Sequence, residues 1–263
     1  MSTSFPAPAR HPWIAFGTLL RKEIHRFARI WVQTLVPPAI TMGLYFVIFG
    51  NLIGARVGEM AGYPYMQYIA PGLIMMSVIT NSYANVVSSL FSSKFQRFIE
   101  EILVAPMGDV LIIGGYVMGG VCRGVLVGAV VSAVALCFTS LTPVHPWLTA
   151  CVVILTATLF SLAGYINALF ARKFDDISIV PTFILTPLTY LGGVFYSIDL
   201  LPPLWRQVSL GNPVFYMVNA FRYAVLGQSD VRPSLALAVI VGLIMVLFAA
   251  CLALMRRGTG LRT

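Results

Sequence analysis

Charged residues are scarce in this chain, and their scarcity excludes most classes of protein. They make up 10% of its 263 residues, whereas hydrophobic residues make up 59% and the mean hydropathy is +0.88. A soluble domain carries about 25% charged residues, which it needs to cover its surface in water. The composition therefore excludes a soluble globular protein and predicts an integral membrane protein.

Groups that perform chemistry are also few. The four cysteines lie in apolar segments without CxxC spacing, so neither a disulfide framework nor a metal site is indicated. None of the three lysines follows a glycine, which excludes the phosphate-binding loop GxxxxGK(S/T). The motifs HExxH and GxSxG do not occur either. We therefore expect a chain that is not itself an enzyme and that binds no cofactor.

What the chain does contain is a series of long apolar runs. A bilayer core is crossed by about 20 residues of helix, and six runs fit this length. An amphipathic interfacial helix is predicted over residues 13–30, where apolar residues recur every three or four positions. Between residues 196 and 230 the apolar pieces are too short to cross and are typical of re-entrant helices. The six predicted spans cover about residues 37–53, 65–90, 112–138, 147–170, 177–195 and 234–255.

The segment from Phe91 to Asp109 is the longest charged, helix-patterned stretch between two spans. Its spacing predicts one amphipathic helix over residues 92–106 that lies on the membrane surface and ends at Pro106. Its apolar face is Phe91, Phe95, Phe98, Ile99, Ile102 and Leu103. Its charged face is Lys94, Arg97, Glu100 and Glu101.

Two predicted spans carry polar stripes, which should not face lipid. Either the stripes pack against other helices or they line a wet pathway, and the pattern leaves both interpretations open. The stripe of the second span is Ser77, Asn81, Asn85, Ser88 and Ser92. The stripe of the fifth span is Thr182, Thr186, Thr189 and Gly193.

Arg123 is the one charge well inside an apolar run. Two interpretations are open: it extends toward the lipid headgroups, or it forms an ion pair with Glu100, Glu101 or Asp109. All nine acidic residues fall outside the six predicted spans. Transporters driven by a proton or sodium gradient need an ionisable group at depth, so gradient coupling is disfavoured.

Basic residues predict the orientation of the chain. With the N-terminus inside, twelve of them fall on the inner side and four on the outer side, apart from Arg123. This predicts six spans with both termini cytoplasmic, a cytosolic 92–106 helix and an extracytoplasmic 196–230 segment. The net charge of +8 has no basic stripe, so anionic lipids are the expected counter-ions and no nucleic-acid partner is predicted.

Four ordered motifs over essentially the whole of residues 13–263 resemble the permeases of ABC-2 type ABC transporters. The run EIHRFARIWVQTLVPP at 23–38 is similar to the YadH permease branch of that family. The motifs are LLRKEI (19–24), RFIEEILVAP (97–106), PLTYLGGVFYSI (187–198) and NPVFYM (212–217) with Arg222 after it.

The resemblance implies a single ABC-2 type transmembrane domain over residues 1–263 in a bacterial inner membrane. It implies an exporter in which two copies pair, each docked on a separate ATPase subunit of the YadG type that holds ATP and Mg. The helix at 92–106 would be the coupling helix, and the second and fifth spans would border the pathway. The residues implied to face the ATPase are Gln96, Arg97, Phe98, Ile99, Glu100 and Glu101.

Two other classes of function stay open at this point. One is a gradient-driven transporter or a channel that moves solute without an ATPase. The other is a membrane-embedded enzyme of lipid or sugar metabolism with an outer-face site in residues 196–230. The substrate is not indicated by the sequence, since aromatic residues near span ends are typical interface anchors.

Overall fold

The structure is a computed structural model that describes residues 12–105 and 107–260. Pro106, which was predicted to end the coupling helix, lies outside the described residues, as do Arg10 and Arg262 from the orientation count. The described chain is almost entirely helical, apart from one short hairpin between strands β1 and β2. In this antiparallel pair Glu59 lies opposite Pro64 and Met60 lies opposite Tyr63.

The elements follow one another in a simple order. The helices are α1 Pro12–Arg29, α2 Trp31–Tyr45, α3 Gly54–Val57, α4 Tyr65–Phe95, α5 Phe98–Val104, α6 Asp109–Leu136, α7 Pro146–Phe170, α8 Asp176–Val180, α9 Thr186–Tyr190, α10 Pro203–Leu210, α11 Pro213–Leu226 and α12 Pro233–Arg256. The strands are β1 Glu59–Met60 and β2 Tyr63–Pro64. Two π-helical turns, Phe46–Ile53 and Pro181–Leu185, and one 3₁₀ turn, Ile198–Leu200, complete the set.

Five helical segments of the described chain are long and apolar enough to cross a membrane. They are Trp31–Val57, Tyr65–Phe95, Asp109–Leu136, Pro146–Phe170 and Pro233–Arg256. These five correspond to the first, second, third, fourth and sixth predicted spans. An all-α membrane protein is thus confirmed, whereas the predicted total of six spans is not.

The fifth predicted span is a short, broken helix. Three five-residue pieces, α8, the π turn Pro181–Leu185 and α9, follow one another without a gap. Together they reach about 22 Å, which is less than the ~30 Å of a hydrocarbon core. Pro181 and Pro187 each lack an N–H, which removes two backbone hydrogen bonds from this segment, and the Pro181 carbonyl accepts from both the N–H and the hydroxyl of Thr186, the latter at 2.9 Å.

The first span differs from its prediction in where it begins. Pro37 and Pro38 were expected near its start, but α2 begins at Trp31 and carries both prolines in its interior. Just before it, Ile30 breaks the helical path between α1 and α2. The Ile30 carbonyl accepts from the Thr34 backbone N–H at 3.1 Å and from the Thr34 hydroxyl at 3.0 Å, so the residue at the break is tied to the first turn of α2.

Helix α4 is the axis of the bundle. It packs against α6, α7 and α11, and 78% of its most apolar stretch is buried, against 18% for the first span and 17% for the last. Small residues that recur every four positions on α6, Gly120, Gly124 and Gly128, allow this close packing. A Cβ on Gly124 would lie 3.0 Å from the Ser82 Cβ and 3.3 Å from that of Ala157.

Gly164 marks the closest approach of α7 to α4. A Cβ at this position would lie 2.7 Å from the carbonyl oxygen of Tyr83, a backbone atom that cannot rotate away. Gly242 in α12 is a matched position, because a Cβ there would meet nothing within 4 Å. Alanine substitutions at the two glycines therefore distinguish the effect of helix–helix contact on stability from the effect of helix propensity.

We expect Gly164→Ala to destabilise the folded chain by about 1–3 kcal/mol, because the methyl group overpacks the α4–α7 contact. Gly242→Ala should be neutral or stabilising, since alanine is the better helix former. Thermal unfolding of the purified proteins in one detergent measures both changes. Equal melting temperatures for the two variants would contradict the α4–α7 packing described here.

Candidate functional site: the polar face and the C-terminal end of α4

The predicted single helix over residues 92–106 is wrong. Helix α4 continues to Phe95, and a new helix, α5, begins at Phe98. Arg97 adopts a left-handed conformation with φ 62°, and the N–H groups of Gln96 and Arg97 donate to the carbonyls of Ser92 and Lys94. Because neither Gly nor Pro occupies the break, the sequence pattern offered no signal for it.

The turn and α5 present most of the predicted coupling residues to the outside of the bundle. Gln96, Arg97, Phe98, Glu100 and Glu101 are exposed in the described chain. The sixth residue, Ile99, is 2% exposed and packs into the main core. The residues predicted to form one apolar face therefore do not share one environment. Phe91 and Ile99 are buried, whereas Phe95 and Leu103 are exposed. We call residues 96–104 the coupling segment.

Lys94 fixes the point from which the coupling segment departs. It was predicted on the charged outer face, but it is buried, and its ammonium donates to three carbonyl oxygens at the end of α7. The acceptors are Leu169 at 2.7 Å, Ala168 at 2.8 Å and Ala171 at 3.2 Å. The last carbonyls of a helix have no partner within it and carry the negative end of its dipole, so a cation there is stabilising.

The loop after α7 packs beside the same end of α4. The ring of Phe174 contacts Phe91 and Phe95 edge-on, with centroids 4.9 and 5.0 Å away. The Asp176 carboxylate accepts the backbone N–H groups of Arg172 at 2.8 Å and Lys173 at 3.0 Å, which holds its pKa below the usual range. The aromatic contacts and the closed loop bring residues 172–176 next to the coupling segment.

The polar stripe of α4 lies inside the protein. Ser77, Asn81 and Asn85 are buried, while Ser88 and Ser92 are half-buried. The side-chain oxygen of Asn85 accepts from the guanidinium of Arg26 at 2.8 Å, and that of Asn81 accepts from Arg123 at 3.3 Å. In the single chain these groups join α4 to α1 and to α6.

Helix α1 packs on the bundle through a face that the sequence analysis missed. Leu19, Glu23 and Phe27, spaced four residues apart, are buried, whereas Trp13 and Ile14 of the helix are 72% and 65% exposed. The Glu23 carboxylate is fully buried, accepts from Ser89 at 2.7 Å and lies 3.3 Å from the Arg26 guanidinium. A repeat of four that includes a glutamate was the available signal, but charge argued against burial.

Arg123 differs from both interpretations of the sequence. Helix α6 begins at Asp109, so Arg123 lies about 21 Å from its start, near the middle of the helix. It forms no ion pair with the carboxylates of the described chain, and Asp109 lies instead 3.9 Å from Arg256. Its neighbour is the amide of Asn81.

The threonine stripe of the fifth predicted span does not form one buried face. Thr182 and Thr186 are exposed, whereas Thr189 is 1% exposed and donates to the carbonyl of Thr186 at 2.8 Å. This broken helix is tied to the first span elsewhere. The hydroxyls of Tyr45 and Tyr190 are 2.9 Å apart, beside a stack of aromatic rings.

A second buried cation lies at the opposite end of α4. The Arg222 guanidinium is fully buried, donates to the carbonyl of Gly193 at 2.6 Å and lies 4.0 Å from the ring centre of Tyr68. The Asp230 carboxylate is 3.9 Å away. This cluster holds α11 and the 193–198 loop against α4, and Arg222 had been noted in the sequence only as part of a motif.

We expect Lys94→Met to destabilise the chain by about 1.5–3 kcal/mol, because hydrogen bonds from a charged donor to the α7 carbonyls are lost. Faster amide hydrogen exchange at the end of α7 and in the coupling segment should accompany the lower melting temperature. Lys173→Met, which changes an exposed lysine of the neighbouring loop, is the control. Matching exchange rates in the two variants would contradict the anchoring role of Lys94.

Comparison of the sequence with known proteins identifies the family of the chain. A sequence profile described as "ABC-2 type transporter" matches residues 14–226. The chain is 59% identical over 252 residues to "Inner membrane transport permease YadH" of Escherichia coli (strain K12), an alignment that covers 95% of this chain and 98% of that protein. Both the expected resemblance and its YadH branch are confirmed.

More distant relatives carry another name. The chain is 26% identical over 219 residues to "Nodulation protein J" of Rhizobium leguminosarum bv. viciae, covering 81% of this chain and 83% of that one. It is 24% identical over 248 residues to the protein of that name in Rhizobium meliloti (strain 1021), covering 93% of each. The profile match, the extent of the YadH alignment and the apolar helices agree: the chain belongs to the ABC-2 type transporter family, as a multi-pass permease of the inner membrane.

Proposed function

We propose that this permease is the transmembrane subunit of an ATP-driven exporter that works as a pair of identical copies. Each copy takes its energy from a separate ATPase subunit, of the YadG type, that holds ATP and Mg. The observation that carries the proposal is the coupling segment. It begins at the end of α4, the most buried of the candidate spans, packs on the core through Ile99 and exposes a charged surface.

The coupling segment is positioned so that a force on its exposed surface would act on α4. Ile99 fastens α5 to the core, while Phe98 beside it is 48% exposed. The charged pair Glu100 and Glu101 is exposed next to it. An exposed aromatic ring with charges around it is a common composition for a protein interface. A force on α5 would pass directly to α4, because only two residues separate the two helices and the end of α4 is fixed to α7 through Lys94.

The proposed second copy is supported by the surfaces that one chain leaves open. In a single chain only small fractions of the first and last spans are buried, and Thr182 and Thr186 point away from their own core. The Thr186 hydroxyl is satisfied by the Pro181 carbonyl, but a hydroxyl such as that of Thr182, which would face lipid without an acceptor, is costly, so contact with a second copy or with a wet pathway suits it better. The pathway would then run between the two copies.

One observation favours the gradient-driven alternative. Glu23 lies in α1, outside the five candidate spans as expected, but it is fully buried between α1 and α4. Its two oxygens are already engaged by Ser89 and Arg26, which is the environment of a structural ion pair. Solute movement by the purified chain in liposomes without any ATPase would favour that alternative over an ATP-driven exporter.

We expect the double variant Glu100→Lys, Glu101→Lys to lose co-purification with the ATPase subunit. Two reversed charges in the interface should lower the retained ATPase at least about tenfold, since like charges in contact cost several kcal/mol. The amount of ATPase recovered with the tagged permease from detergent-solubilised membranes is the measurement.

Glu59→Lys is the matched control, because Glu59 is an exposed glutamate in β1, at the other end of α4. It should retain the ATPase at the wild-type level. Undiminished recovery with the double variant would overturn the proposed docking at the coupling segment.

We also expect the coupling segment and α10 to lie on opposite sides of the membrane. In a chain without its native cysteines, Gln96→Cys should react with a membrane-impermeant maleimide in inside-out vesicles only. Gln207→Cys, on an exposed position of α10, should react in right-side-out vesicles only. Labelling of both positions from one side would contradict the topology, and so would the reverse pattern.

A further inference from the structure

The buried polar cluster between α1, α4 and α6 carries more positive than negative charge. Arg26 is paired with Glu23 at 3.3 Å. Arg123 has no such partner among the carboxylates that the structure describes, and it lies near the middle of a long apolar helix. A charge at that depth is costly unless an opposite charge compensates it, so an uncompensated arginine there points to a ligand.

Unused hydrogen-bond donors lie in the same cluster. Within the described chain, the Nε atoms of Arg26 and Arg123 and the Nδ2 atom of Asn85 are buried without an acceptor. Asn85 is 0% exposed, which makes its unpaired donor the most significant of the three. Every one of these atoms is a donor, so the group that would satisfy them is an acceptor, and the surplus charge makes it an anion.

The two guanidinium groups are close enough to share one ligand. Their acceptors, Asn81 and Asn85, lie one helical turn apart on α4, which is about 6 Å along the axis. The cluster is also open on one side. The Arg26 side chain is 30% exposed, Arg123 is half-buried and Asn81 is 9% exposed. A small anionic group can therefore reach the two arginine side chains from outside the single chain, whereas Asn85 lies behind them and is not accessible.

We propose that Arg123, with Arg26, binds an anionic group of the transported molecule, a phosphate or a carboxylate. The permease thus exports molecules that carry such a group. This inference rests on the proposed function, because it identifies the class of substrate for the pathway that α4 borders. Two sources share this chemistry: the headgroup of an acidic lipid and a water-soluble organic anion.

Binding to the full chain in phosphatidylcholine nanodiscs tests the proposal. Carboxyfluorescein is the soluble anionic probe and dansyl-phosphatidylglycerol is the lipid one, with dansyl-phosphatidylcholine as the neutral comparison. Fluorescence anisotropy and energy transfer from tryptophan to dansyl measure the affinities. We expect at least one anionic probe to bind tighter than the neutral one, and the probe that responds identifies the source.

Arg123→Gln should weaken that binding about tenfold or more, the effect of losing one charge-assisted hydrogen bond. Arg123→Lys should retain most of the affinity. Arg206→Gln removes an exposed arginine of α10 and should bind like wild type. The neutral probe should respond to none of these changes.

Asn81→Asp separates ligand binding from a structural role. It places a carboxylate against Arg123, where the amide oxygen already accepts at 3.3 Å, and loses the bond that the amide nitrogen donates to the Ser77 carbonyl at 3.1 Å. The new ion pair offsets the lost bond, so the folded chain should keep about the stability of wild type, which its melting temperature checks. Anion binding should nevertheless fall about as far as in Arg123→Gln. A role confined to folding would instead leave the affinity of this stable variant unchanged.

Two results would overturn the proposal. One is wild-type affinity for both anionic probes in Arg123→Gln and Asn81→Asp. The other is a wild-type chain that binds neither anionic probe tighter than the neutral lipid. Either result leaves the proposed exporter function standing if the ATPase still co-purifies through the coupling segment. Loss of that association in wild type would instead remove the exporter function and leave the binding result intact.

Discussion

A polar side chain in a hydrocarbon layer has to find its partner inside the protein, because water is absent there. Helix α4 concentrates this constraint, since its stripe of serines and asparagines runs along much of its length. The neighbours that surround it supply partners: Arg26 and Glu23 from α1 and Arg123 from α6. The arrangement of the bundle follows from satisfying these groups as much as from packing apolar surface.

The same constraint applies at the two ends of α4, where cations satisfy backbone carbonyls. Lys94 is bonded to the last carbonyls of α7, and Arg222 is bonded to the Gly193 carbonyl beside the short helices before α12. Both are buried, so their positions are held by desolvated hydrogen bonds that are stronger than exposed ones. The helix is therefore fixed at one end to α7 and at the other to α11 and the 193–198 loop, with the polar cluster between them.

The short helices differ from the long ones in what stabilises them. Helix α5 has seven residues and α10 has eight, which is too short for independent stability, so each depends on contacts with the bundle. For α5 those contacts are made by Ile99, which is buried, and Ile102, which is half-buried against the core. A short helix held by two apolar contacts and joined to the end of α4 by a two-residue turn is compatible with the proposed coupling role.

The composition alone was enough to identify a membrane protein, because a chain with so few charges cannot be solvated by water. Apolar run lengths predicted the first, second, third, fourth and sixth spans, since a helix must be long enough to cross the bilayer. The motifs identified the family. Each of these depends on local sequence, so no knowledge of distant contacts was needed.

Other features were decided by contacts between residues far apart in the chain. The break at Arg97 occurs without glycine or proline, and the burial of Glu23 requires Ser89, 66 positions away, and the close approach of α6 at Gly119. Lys94 is buried only because the end of α7 presents three carbonyls to it. Rules that use only the local sequence place a charged residue on the surface. Its burial becomes favourable only when the tertiary structure brings hydrogen-bond partners within reach.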